Sequence, residues 1–152
     1  MENNRVAVIG YGNVLRGDDG IGIIAVRQIK NCVKGMNVDT YEYHQLSMEV
    51  LPVLSEYGKI IFIDCSSEIE HGEVLCHQIR SDNKITLTMT HYLTPQQILQ
   101  LLEILYGKKP IGYICKIGGR VFDFGSDISK EVMDATPKLI NDCIKLVISP
   151  IK

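Results

Sequence analysis

Residues 5–22 read RVAVIGYGNVLRGDDGIG, and the reading of this stretch decides the fold class. Arg5 to Gly10 is a short apolar run rich in β-branched residues and closed by glycine. That is the pattern of a strand buried on both faces. The loop after it carries several glycines and two adjacent acids, Asp18 and Asp19. From Gly20 to Lys34 the pattern changes to helix, with Ile21, Ile24, Ala25 and Ile29 broadly at helical spacing.

Outward from that start, buried strands and helices alternate. Val38 to Tyr43 alternates as a second strand, and a helix follows within Ser47 to Tyr57. Pro52 either begins the regular part of that helix or removes one hydrogen bond early in it. Lys59 to Cys65 (KIIFIDC) is a near-continuous apolar strand that ends in an acid, Asp64. Glu73 to Arg80 has mixed faces and reads as a strand nearer an edge. Thr94-Pro95-Gln96-Gln97 is the best helix start in the chain: Thr94 can cap, Pro95 suits the first helical position, and Gln97 can bond back. Ile98, Leu101, Leu102 and Leu105 form the apolar stripe of that helix, and Gly107 ends it. Ile111 to Ile117 is the last strand and Ser129 to Val147 the last helix, with a kink or restart expected at Pro137. This order predicts an α/β protein whose mostly parallel sheet carries helices on both faces. One domain spanning 1–152 is expected, with no linker, repeat or low-complexity tract.

Composition narrows the function classes. The chain has 152 residues, 45 % of them hydrophobic and 22 % charged, with a net charge of −2. No basic block is present to neutralise a row of phosphates, so nucleic acid is a poor partner. The apolar runs are far shorter than the roughly 20 residues that cross a bilayer. The N-terminus Met1-Glu2-Asn3-Asn4-Arg5 has no signal-peptide pattern. The five cysteines, at 32, 65, 76, 115 and 143, form no Cys-x-x-Cys pair. Reduced thiols in a cytoplasmic protein are expected, without a structural zinc site of the finger or ribbon type.

In such sheets ligands bind outside the carboxyl ends of the strands, so the residues that matter follow the buried strands. A dinucleotide loop G-x-G-x-x-G would need its third glycine at position 15, where this chain has Leu15. Asp18 and Asp19 would also repel a pyrophosphate at the helix N-terminus. One aspartate is enough to cap a helix, and a second beside it on a glycine-rich loop suggests a cation site. Asp64 is too costly to leave unpaired after so apolar a strand, so it either bonds backbone amides at a turn or binds something. Cys65 reads as a small buried residue rather than a nucleophile. Among the histidines, His91 precedes the capped helix and His44 ends the second strand. His71 reads as solvated, and His77 lies within a strand with no acid nearby in sequence. Asp19, Asp64 and His91 together would suit a divalent transition metal with open positions, although their spacing carries no local signature.

The run VAVIGYGNVLRGDDGIG resembles the N-terminal motif of the [NiFe] hydrogenase maturation endopeptidases. The Asp64 strand, the segment HYLTPQQILQLLEILYG and the closing stretch FDFGSDISKEV fall in that family's order and spacing, so the resemblance covers essentially the whole chain. It implies a three-layer α/β/α sandwich with a twisted sheet of about five strands. It also implies removal of a C-terminal extension from the nickel-loaded large-subunit precursor of a hydrogenase. Asp19, Asp64 and His91 then become the metal-contacting and catalytic residues. Gly12 and Asn13 shape the loop that carries Asp19, and Asp18 becomes a cap or supporting group. The metal implied is nickel brought by the precursor, with zinc or cadmium able to stand in for it. Where many members have a Gly-rich turn after the second strand, this chain has His44-Gln45-Leu46. That resembles the branch serving soluble bidirectional or cofactor-linked hydrogenases, and it places His44 and Gln45 beside the substrate. The rival implication is a nickel-checking or docking protein that binds the precursor without cutting it.

Overall fold

The computed structural model describes residues 3–81 and 92–151. Its elements are β1 (Val6–Tyr11), α1 (Ile21–Cys32, entered through a 3-10 turn at Gly17–Gly20), β2 (Val38–Tyr43), α2 (Leu51–Leu54, entered through a 3-10 turn at Met48–Val50), β3 (Lys59–Ser66), β4 (Val74–Ile79), α3 (Pro95–Tyr106), β5 (Ile111–Gly118) and α4 (Lys130–Ile148). The five strands form one sheet in the order β2-β1-β3-β5-β4. β1, β2, β3 and β5 run parallel, and β4 closes one edge antiparallel to β5.

The period of two along β1 and β3 splits the apolar residues between two cores. Val6, Val8, Ile61 and Ile63 face α1 and α4, with Ile21, Ala25, Ile29, Leu139 and Cys143 packed on them. Ala7, Ile9, Ile60 and Phe62 face the opposite layer, where Leu51, Leu54, Ile98 and Leu102 cover them. Helices on both faces explain why β1 and β3 read as continuous apolar runs rather than alternating ones.

Local signals set the helix ends. Thr94 and Gln97 make the full capping box, and Gly107 closes α3 in the left-handed conformation. The expected restart at Pro137 does not occur, because α4 is one helix of 19 residues. Pro137 is exposed, so the Met133 carbonyl that loses its amide partner faces solvent. Lys59, a cation at the base of an apolar strand, is wholly buried. Its Nζ donates to the carbonyls of Leu146 and Ser149, both at 2.6 Å, and so closes the end of α4. A cation is well placed at a helix C-terminus, where free carbonyls gather.

The expectation of reduced thiols throughout does not hold. Cys76 on β4 and Cys115 on β5 are joined as a disulfide, with Cα atoms 4.1 Å apart. The antiparallel register sets them directly opposite each other, although 39 residues separate them in sequence. Cys32, Cys65 and Cys143 are free. Among the described residues, no helix is long and apolar enough to cross a membrane.

Candidate functional site

The strand order dictates where the site forms. β1 lies between β2 and β3, and all three run the same way, so their carboxyl ends emerge side by side. Tyr11 pairs with Tyr43 across β1 and β2, while Gly10 pairs with Ile63 on the other side, one residue before Asp64. Connections leave in opposite directions on the two sides of such a point, which opens a crevice. The crevice here has a volume of about 230 Å³ and is lined by Tyr11, Gly12, Asn13, Arg16, Asp19, His44, Gln45 and Asp64.

The loop after β1 presents Asp18 and Asp19 in different directions. They sit in the 3-10 turn Gly17–Gly20, where successive side chains stand about 120° apart. Asp18 points inward and is fully buried. Asp19 points to the crevice, where its Oδ2 accepts the Asn13 amide at 2.8 Å. Asn13 Oδ1 in turn accepts the Leu15 amide at 2.9 Å, so the loop is tied to itself. Gly12 has φ +143°, and a Cβ there would overlap the Asp19 carbonyl oxygen. Glycine at position 12 therefore lets the backbone close over the acidic turn.

Asp64 ends up in a different environment. Burial is the main reason its carboxyl is pushed up to about 6, and the charge of Asp19 adds to the rise. A hydrogen bond from Tyr11, the Cys65 amide and the positive charge of Lys116 oppose it. The Tyr11 phenol is held in its neutral form, first by its own burial and then by Asp64. Two neighbouring carboxylates facing one crevice, one of them already raised, form a donor pair whose repulsion a divalent cation would relieve.

The crevice thus gathers Gly12, Asn13, Asp19, His44, Gln45 and Asp64 from three separate segments. His91 lies outside the described residues. Among the described residues no group of three His, Cys, Asp or Glu side chains is placed to hold a metal ion. The chain re-enters the described residues beside the second of these segments, where the Leu93 amide donates to the Leu46 carbonyl at 2.9 Å.

Two lining residues escaped the sequence reading. Tyr11 is the last residue of β1, and its position at a strand's carboxyl end was the available signal. Arg16 sits on the crevice wall, and its Nε donates to the Phe122 carbonyl at 3.1 Å. Two readings are narrowed or corrected. Of the two roles expected for Asp18, cap or supporting group, the first does not hold: it does not cap its own helix, because its acceptors serve the segment before α4. His71 is not a solvated side chain: it is only 25 % exposed, and its Nε2 lies 2.7 Å from Ser129 Oγ and 3.5 Å from Asp18. Cys65 is half-buried, and burial pushes its thiol up to about 12, which suits packing and not nucleophilic attack.

No family model matches the chain. A protein of Methanocaldococcus jannaschii, provisionally named a hydrogenase maturation protease, is 27 % identical over 156 aligned residues, covering 94 % of this chain and 88 % of that protein. Solved structures agree at the level of the fold. The hydrogenase maturating endopeptidase HybD of Escherichia coli superposes with a TM-score of 0.74 at 18 % identity, covering 94 % of this chain and 91 % of its own. The [NiFe] hydrogenase maturation protease HycI of Thermococcus kodakarensis gives 0.74 at 18 % identity, with 97 % and 94 % covered. The likeness read from the motifs therefore extends along nearly the whole chain, and this is an α/β protein with the fold of the HybD-type hydrogenase maturation endopeptidases.

Proposed function

We propose that this protein is a processing endopeptidase that acts in the cytoplasm. Its substrate would be the large-subunit precursor of a [NiFe] hydrogenase, and it would remove the precursor's C-terminal extension once nickel is in place. The observation that carries this reading is the meeting of Asp19 and Asp64 across one crevice at the carboxyl ends of β1 and β3. The whole-chain likeness to proteins named for that activity supports it.

Nickel enters as part of the substrate in this scheme. Asp19 and Asp64 would contact it, with His91 as the third group. A divalent ion at such a position polarises a carbonyl or lowers the pKa of water. At pH 7 Asp64 is mostly ionised, yet near 6 it is basic enough to accept a proton from an attacking water. The Asn13 amide holds one oxygen of Asp19, which lines the crevice. His44 and Gln45, on the opposite wall, would contact the polypeptide beside the cut.

The test mixes purified nickel-loaded precursor with wild type, Asp19→Asn and His91→Ala and follows precursor mass. Wild type should shorten the large subunit, leave nickel-free precursor intact, and lose cleavage in both variants. Cleavage unchanged in both variants removes the proposed site. A wild type that binds the loaded precursor and never shortens it identifies a docking protein instead.

A further inference from the structure

Asp18 is buried next to Asp19, and its hydrogen-bond donors lie more than 100 residues away in sequence. Its Oδ2 accepts the amides of Arg120 and Val121, both at 3.0 Å. Its Oδ1 accepts the Ser129 amide at 2.7 Å and the Ser129 hydroxyl at 2.8 Å. Ser129 Oγ also meets His71 Nε2 at 2.7 Å. The backbone adds a return bond, from the Asp18 amide to the Val121 carbonyl at 2.7 Å. Further along, the Gly125 amide donates to the Leu15 carbonyl at 2.8 Å, and the Arg16 side chain to the Phe122 carbonyl at 3.1 Å. Packing is equally close, since a Cβ on Gly119 would come within 2.9 Å of the Asp18 Cβ.

From this stitching we propose that Asp18, Ser129 and His71 are positioning residues that aim Asp19 into the crevice. The inference rests on the reading of Asp19 as a site residue. Asp18 and Asp19 share one short turn, so rotation of that turn about its axis carries both carboxylates together. Asp18 prevents this rotation because four donors on the segment before α4 fix it from one side. On the far side the Asn13 amide follows Asp19 and reports its place. His71 supports Ser129 from the connection between β3 and β4, and its Nε2 also lies 3.6 Å from Glu131 Oε2. The aim of Asp19 would thus depend on chain segments remote from the glycine-rich loop.

Asp18→Asn turns an amide group toward donors and is at risk of not folding, so the test uses Ser129→Ala, with Ser129→Thr as rescue. Hydrogen exchange at the Asn13 amide should rise about tenfold in Ser129→Ala, while amides in β3 and α3 keep their wild-type rates. With nickel-loaded precursor, kcat should fall about tenfold and KM stay within about twofold. Ser129→Thr should restore both. Wild-type exchange at Asn13 in Ser129→Ala overturns the proposal, and so does a uniform rise across the chain, which marks a merely structural contact. If wild type does not cleave the precursor, the proposed function fails, and the Asn13 exchange still decides the positioning role alone.

Discussion

Asp18 meets three backbone amides and a hydroxyl, all donors, in a pocket closed to water. Asp64, at the carboxyl end of β3, meets one phenol, one amide, one lysine charge and a second carboxylate. Burial raises the pKa of both groups, yet only in Asp18 do the donors outweigh it and hold the carboxyl below its ordinary value. In Asp64 burial wins, and the carboxyl stands near 6. The first environment is finished by the protein itself. The second is left short of donors, so a positive charge from outside the fold would be favoured there.

Substitution at the two positions should therefore move stability in opposite directions. Asp18→Asn leaves amides of Arg120, Val121 and Ser129 facing an amide group, and loss of a buried charge-assisted network costs about 3–5 kcal/mol. Urea unfolding should show the midpoint collapsing, and a midpoint near wild type would mean that the donors find water instead. Asp64→Asn removes a carboxylate that the fold ionises at some cost. It should stabilise the protein at pH 8 by about 2 kcal/mol while abolishing cleavage. A destabilised Asp64→Asn would show that the crevice is a structural bond and not an open site.

The same contrast sets the pH behaviour. Asp18 contributes stability above its unfolded value of 3.8, and that contribution is lost as pH falls through its lower folded value. Asp64 runs the other way. Its folded value near 6 exceeds the unfolded 3.8, so it weakens the fold above pH 6 and this burden lifts as pH falls between those values. If Asp64 contacts a metal ion as proposed, protons compete with that ion for the same carboxylate. Titration with cadmium alone should show affinity falling about tenfold per pH unit below 6. Affinity that stays flat from pH 5 to pH 7.5 would exclude Asp64 as a ligand.

Much of the frame was legible because its signals are local. RVAVIG and KIIFID announce buried parallel strands, and Thr94 with Gln97 announces a helix start within four residues. Parallel order then forces the ends of β1, β2 and β3 together, which is why strand order alone assigns Asp19 and Asp64 to one edge; Gln45 joins them only through the family resemblance, and His91, assigned to the same edge, lies outside the described residues. Tyr11 carried a local signal, its place at the end of β1, but most of the other missed features depend on distant pairing. Asp18 finds its donors at 120, 121 and 129, and Cys76 finds Cys115 only once the β4–β5 register is set. His71 looked solvated because its neighbours in sequence are polar, whereas its partners arrive from α1's entry turn and the start of α4. Lys59 reads in sequence only as the first residue of a strand, and its role appears only when α4 ends beside it.

Tyr11 offers the finest adjustment of the contrast. Its hydroxyl is one of the few groups that favour the ionised form of Asp64, and it reaches that carboxylate from the neighbouring strand end. Tyr11→Phe keeps the ring and its packing and removes only the donor. Asp64 then loses a stabilising bond to its charge, so its pKa should rise above 6, by up to about one unit. The sign follows from the bond's direction, since a donor to a carboxylate favours the charged state. Carboxyl NMR should record the shift, and the acid limb of the cadmium titration should move upward with it. The variant's stability should stay near that of wild type, because the phenyl ring still packs against the core layer under α2 and α3. An unchanged Asp64 titration in Tyr11→Phe would mean that burial and Asp19 alone set its value, with the phenol a bystander.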